Sequence, residues 1–173
     1  MSSIRQVLST GLAMVAGLIA APQSMAPVQH LTEAVTYHED ERVQRLREFF
    51  GERDCPAEDL ARDFVAAADL HGLDWRLLPG ISFIESSGGK HYINNNIFGW
   101  DSGRTGFATV RDGVYHVASR LANSNLYKSK TVPQILRTYN SLPGYAPKVR
   151  QVMDALGPAD LESPNELRRS SAF

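Results

Sequence analysis

The sequence predicts a mainly α-helical domain, and three observations carry that expectation. Apolar residues recur at three- and four-residue spacing in five successive segments. Pro, Asp, Thr and Gly punctuate those segments where helix starts and stops need them. One stretch, residues 94–109, has no helical period and is rich in Gly and Asn, which predicts loops or a short β-hairpin over a cleft.

Taken in chain order, residues 1–26 have the pattern of a secretory signal peptide. Arg5 supplies a positive start, and the apolar run GLAMVAGLIAA is too short for a comfortable membrane span. Ser24-Met25-Ala26 puts small residues at the two positions a signal peptidase reads. An uncleaved membrane anchor is the alternative. Either way the rest of the chain is expected to work outside the cytoplasm, in the periplasm or secreted, with no stable membrane span once the signal is removed. Residues 27–53 form a polar lead-in with a weak stripe of Val43, Leu46, Phe49 and Phe50, which predicts either a short packed helix or a loose arm.

The main domain is expected over residues 54–157. Pro56 suits a first helical position, and Leu60, Phe64, Ala67 and Ala68 form a stripe that Gly72 ends. Asp74 is placed to cap a second helix, Trp75 to about Ser86, with Pro79 tolerable near its start. A third helix carries Val114, Val117, Ala118 and Leu121. A fourth opens on Thr131 and Gln134, a capping-box spacing, and carries Ile135, Leu136 and Tyr139. A fifth carries Val149, Val152, Met153 and Leu156, stopped by Gly157. Residues 158–173 lack periodicity and are expected to be a mobile tail.

Composition excludes several classes. The chain has 173 residues, 43% of them hydrophobic, enough for one core. A formal net charge of -1 argues against nucleic acid as a partner. One cysteine, Cys55, and no His/Cys cluster leave neither a disulfide framework nor a zinc site, so no metal and no cofactor is expected. Cys55 is most simply a small buried or half-buried residue.

The informative stretch is GISFIESSGGK, residues 80–90, where an apolar run ends in a carboxylate. Leu78, Ile81 and Glu85 share one helix face. Because that face must be buried, Glu85 falls at the rim of the core, near the helix C-terminus. Partial desolvation and the negative helix end both disfavour its anion and would raise its pKa. A carboxylic acid kept protonated near neutrality is what a general acid needs to protonate a leaving-group oxygen. The plain alternative is a solvated surface Glu followed by a Ser/Gly helix stop.

The segment HGLDWRLLPGISFIESSGGKHYINNNIFGW, with its Glu85-Ser86 pair closing a helix, resembles the catalytic core of the lysozyme-like superfamily of peptidoglycan-cleaving enzymes. Asn96-Ile97-Phe98-Gly99-Trp100 is similar to an Asn-x-Phe-Gly element of bacterial β-N-acetylglucosaminidases. Phe107-Ala108-Thr109 and Gly113-Val114 are similar to the segment leading into their next helix. Tyr139-Asn140 resembles lytic transglycosylases, and Pro143 to Val149 resembles the glucosaminidases. Together these cover about residues 56–156.

The resemblance implies a lysozyme-like helical fold, Glu85 as catalytic acid and peptidoglycan glycan strands as substrate. An envelope machine of unspecified kind is a possible partner. By the same resemblance Tyr139 would reach Glu85 or the substrate through its hydroxyl; a core Tyr is the alternative. Ser86 would bond near the cleaved linkage, or simply cap the helix. Asn96, Phe98 and Trp100 would line the sugar cleft with Asn140, through aromatic faces and amides. Phe98 could equally plug the core under the loop, and Tyr145 could form cleft wall or helix packing.

A hydrolase of this type needs a second carboxylate. The acids in the segment after Glu85 are Asp101, equally a turn residue, and Asp112, which has the look of a helix N-cap. That shortage favours the single-acid lytic transglycosylase reaction, with hydrolysis by a β-N-acetylglucosaminidase as the alternative. A non-catalytic glycan-binding envelope protein of the same fold is the third reading.

Overall fold

In a computed structural model, residues 40–161 are described. The expected signal segment 1–26, residues 27–39 of the lead-in and residues 162–173 of the tail lie outside them. The described chain is mainly helical, with six α-helices: α1 (Glu41–Gly51), α2 (Ala61–His71), α3 (Leu77–Ser86), α4 (Val110–Asn123), α5 (Val132–Tyr139) and α6 (Tyr145–Leu156). Two short 3-10 turns, Pro56–Leu60 and Trp100–Gly103, complete the order.

The end of the polar lead-in is a full core helix. Val43, Leu46 and Phe50 of α1 are completely buried, and Phe50 meets Phe64 of α2 with ring centroids 6.0 Å apart. Asp40 caps α1 by accepting the Arg42 N–H at 2.9 Å. The buried Arg42 guanidinium lies between Asp40 and Asp69, each at 2.7 Å, and so fastens the start of α1 to α2. Three polar side chains satisfy one another there, which lets a helix with a charged first turn enter the core.

Local signals place the next elements. Pro56 opens a 3-10 turn rather than an α-helix, and α2 continues from it without a break. Gly72, at φ 62°, ends α2 in the left-handed conformation that costs glycine least. Asp74 is not the cap of α3, which begins at Leu77, two residues later than the sequence suggests, with Arg76 at the N-cap position. The Asp74 carboxylate accepts the Arg76 N–H at 3.0 Å and binds the Arg76 guanidinium, forming a turn ahead of Leu77. In α4 the capping residue is Thr109, not Asp112; Asp112 is its capping-box partner and accepts the Thr109 N–H at 3.0 Å. The Thr131–Gln134 pair forms as expected, Gln134 Oε1 accepting the Thr131 N–H at 2.8 Å.

Packing then sets the position of α3. It lies along α6, and Gly80 allows the approach: a Cβ there would stand 3.1 Å from Met153 and 3.2 Å from Val149. Leu77, Leu78 and Ile81 are fully buried. Beyond α6 the chain is still attached. Gly157 O accepts from Arg76 at 2.9 Å, and Pro158 O accepts from the Trp75 indole at 3.2 Å. The first residues of the expected tail are therefore bound to the domain.

Residues 94–109 are irregular, with one isolated antiparallel bridge, Ile93 to Asn96. Asn94 and Asn95 both have positive φ, the geometry of a tight type I′ turn. Cys55 is buried against Gly88, where a Cβ would come within 2.9 Å of the Cys55 Cβ. Burial pushes its thiol up, so it rests as a packed neutral group.

Candidate active site

Helix α3 delivers Glu85 to the mouth of a cleft of about 830 Å³, toward the upper end of the roughly 300–1,000 Å³ usual for ligand sites. The buried stripe Leu78–Ile81 fixes the rotation of α3, and Glu85, one turn on, comes out half-buried. Ser87, at φ 53°, turns the chain out of the helix just past it. Among the described residues Glu85 has no ion-pair partner. Burial raises its pKa above the ordinary carboxylate value, and only a hydrogen-bonding influence from Tyr145 works the other way.

The floor beside it is backbone. A Cβ on Gly99 would stand 2.7 Å from Glu85 Oε2, and Gly99 is left-handed at φ 59°. Both the conformation and the contact require glycine. Asn96 builds this floor. Its side chain is 3% exposed, donates to Trp100 O and Thr105 O at 2.9 Å each, and accepts the Trp100 N–H at 3.0 Å. It braces the loop and has no free amide to offer a sugar.

The two tyrosines exchange the parts the sequence suggests. Tyr139 donates its hydroxyl to Phe98 O at 2.6 Å, so that hydroxyl tethers the Phe98–Gly99 floor instead of reaching Glu85. Tyr145, 7% exposed and stacked on Tyr139 at 6.1 Å, is the one beside the carboxyl. Its hydroxyl has no hydrogen-bond partner among the described residues, and burial first, then the nearby Glu85 carboxylate, push its pKa far up. Tyr145 therefore stays neutral beside Glu85, and its position at the first residue of α6 was not signalled by its spacing.

Other expected site residues divide cleanly. Trp100 lines the cleft, half-buried, with its ring 5.8 Å from Tyr139 and 6.1 Å from Tyr127. Asn140 also lines it, and its side-chain oxygen accepts the Leu142 N–H at 3.0 Å. Phe98 does not: it is fully buried, edge-on to Phe64, and so plugs the core under the loop. Ser86 is buried as well. It donates to Ser82 O at 2.9 Å and accepts the Gly89 N–H at 3.0 Å, which is helix capping.

Asp101 reaches the same cleft from an exposed turn. It and Ser102 are left-handed non-glycine residues, followed by Gly103 at φ 76°. Arg104 binds its carboxylate at 2.6 Å and holds it below the usual carboxylate range. Sequence reasoning overlooked His116, Arg120, Ser124 and Tyr127, which also line the cleft. Spacing held a signal for the first three, one turn apart along α4, but not the fact that this face opens on Glu85. Among the described residues, no group of three His, Cys, Asp or Glu side chains is placed to hold a metal ion.

Compared with family models, curated proteins and solved structures, the chain gives no match.

Proposed function

We propose that this protein cleaves β-1,4 glycosidic bonds in peptidoglycan glycan strands by a lytic transglycosylase-like reaction, with Glu85 as general acid and then general base. The observation that carries this reading is Glu85 itself: a half-buried carboxyl without an ion pair among the described residues, its pKa raised by burial, at the rim of a cleft walled by Trp100 and Tyr127. Those aromatic faces suit the apolar faces of sugar rings.

In this mechanism the protonated Glu85 gives its proton to the glycosidic oxygen as the C1–O bond breaks. The acetamido oxygen of the N-acetylmuramic acid ring closes on C1. Glu85, now a carboxylate, takes the proton of the 6-hydroxyl, whose oxygen displaces the acetamido group. The products are a 1,6-anhydro end and a new 4-hydroxyl, with no net water consumed. Tyr145 suits the exchange, because a neutral hydroxyl donor stabilises the carboxylate between the two proton transfers. Asp101, already bound by Arg104, is poorly suited to act as nucleophile or base. That favours the single-acid route over hydrolysis by a β-N-acetylglucosaminidase.

Digestion of purified peptidoglycan followed by mass spectrometry tests the reading. Anhydro-muramyl ends are expected from the native protein and none from Glu85→Gln at equal folding. Reducing N-acetylglucosamine ends would replace the mechanism by hydrolysis, and strand binding without any product would make this a glycan-binding protein.

A further inference from the structure

A sugar cleft needs aromatic faces and amides; it has no evident need for a free cation. Yet Arg120 lines this one. It projects from α4, is exposed, and has no carboxylate partner among the described residues. The two arginines that precede it in the chain differ: Arg104 is bound to Asp101 and Arg111 to Asp63. His116 stands one helical turn before Arg120 and Ser124 one turn after, so three polar side chains follow the cleft along one edge of α4. The Ser124 hydroxyl oxygen is shielded from solvent and has no hydrogen-bond partner among the described residues. A donor left unsatisfied in this way costs free energy unless something from outside completes it.

The charge balance of the cleft points the same way. Its two lining carboxylates are Glu85, which the reaction requires in the protonated form, and Asp101, already neutralised by Arg104. That leaves the Arg120 guanidinium as uncompensated positive charge, set between two hydrogen-bonding side chains. A planar guanidinium with donors at its flank matches a carboxylate, which it can bind through two parallel hydrogen bonds.

Resting on the glycan-cleaving reading, the geometry points to Arg120, supported by Ser124 and His116, as a carboxylate subsite that selects strands bearing an acidic substituent over neutral N-acetylglucosamine polymers. Two sources of that carboxylate exist on such strands: the lactyl group of N-acetylmuramic acid itself, and the acidic residues of an attached stem peptide. Arg120 is a specificity residue in this scheme and takes no part in the proton transfers.

Binding is the cleanest test, because Glu85→Gln keeps the cleft while preventing turnover. Three soluble probes of matched length are titrated calorimetrically into E85Q and into E85Q/R120Q: a neutral chito-oligosaccharide, a muramyl glycan with free lactyl carboxylates, and the same glycan carrying stem peptides. The expected result is a loss of about five- to tenfold in affinity for acidic probes on Arg120→Gln, against less than about twofold for the neutral one. Arg120→Lys recovers part of the loss, and added salt narrows the gap. A loss seen with both acidic probes identifies the lactyl carboxylate; a loss confined to the peptide-bearing probe identifies the stem. Equal affinities in E85Q and E85Q/R120Q for every probe overturn the subsite while leaving glycan cleavage standing. Failure of all three probes to bind E85Q overturns the glycan-cleaving reading and the subsite with it.

Discussion

Two carboxylates face one cleft from two kinds of backbone. Glu85 stands at the end of a packed helix, half-buried and with no ion-pair partner among the described residues; Asp101 stands on an exposed left-handed turn with Arg104 at 2.6 Å. Burial moves the first toward its protonated form, and the arginine holds the second in its ionised form. The difference teaches that proximity to a cleft does not make an acid. What surrounds the carboxyl decides whether it can give a proton.

The sharpest way to break the contrast is Glu85→Gln, which removes the proton and keeps the shape. Cleavage of peptidoglycan should fall by at least about 10³-fold, as for loss of an essential acid–base group. Release of soluble fragments measures it, with circular dichroism to confirm the fold. Activity near native in that variant would leave Glu85 as an ordinary half-buried acid.

Gly99→Ala attacks the floor. The new methyl would meet Glu85 Oε2 at 2.7 Å on a backbone at φ 59°. A stability loss of about 1–3 kcal/mol is expected from the strained φ and the clash. The turnover rate should drop about 10²-fold as Glu85 is displaced from its position. Thermal melting and the turnover rate at saturating substrate read the two effects separately.

Tyr145→Phe tunes the acid without touching it. The Tyr145 hydroxyl favours the Glu85 anion, so its loss lets burial raise the Glu85 pKa further. A general acid loses activity as pH rises through its pKa, so the alkaline limb of the rate profile should move to higher pH. The rate at the optimum should fall about tenfold, because the carboxylate formed midway loses a donor. A limb that stays in place would show that Tyr145 only packs.

Asp101→Asn should do least. With Arg104 already holding the carboxylate, activity within about threefold of native is expected from a residue outside the proton path. A collapse comparable to that of Glu85→Gln would restore Asp101 as second acid and shift the chemistry to hydrolysis.

The helical stripes were plain in the sequence because the core selects them directly: Leu78 and Ile81, or Val149, Val152 and Met153, leave α3 and α6 one way to turn. That is also why Glu85 could be found, as the residue one turn beyond a buried pair. The exchange between Tyr139 and Tyr145 was hidden, since both are tyrosines at helix ends and only the loop 98–100 decides which hydroxyl meets a carbonyl. Asn96 was misleading for a related reason. An amide suited to sugars is equally suited to bracing three backbone groups. Neither Asp74 nor Asp112 is the cap itself: Asp74 closes a turn ahead of α3, and Asp112 is the capping-box partner of Thr109, three places upstream. Arg120 had its spacing on display, but which side of α4 faces the cleft is a fact of packing between distant segments.

The pairing of α3 with α6 has a consequence for the order in which a ribosome makes this protein. Glu85 is made before the helix that holds it in place, and before the Gly157 and Pro158 carbonyls that fasten Arg76 and Trp75. A nascent chain that stops short of α6 has its acid but no rigid mount for it. The geometry around Glu85 is thus acquired only after α6 has been made and has packed on α3.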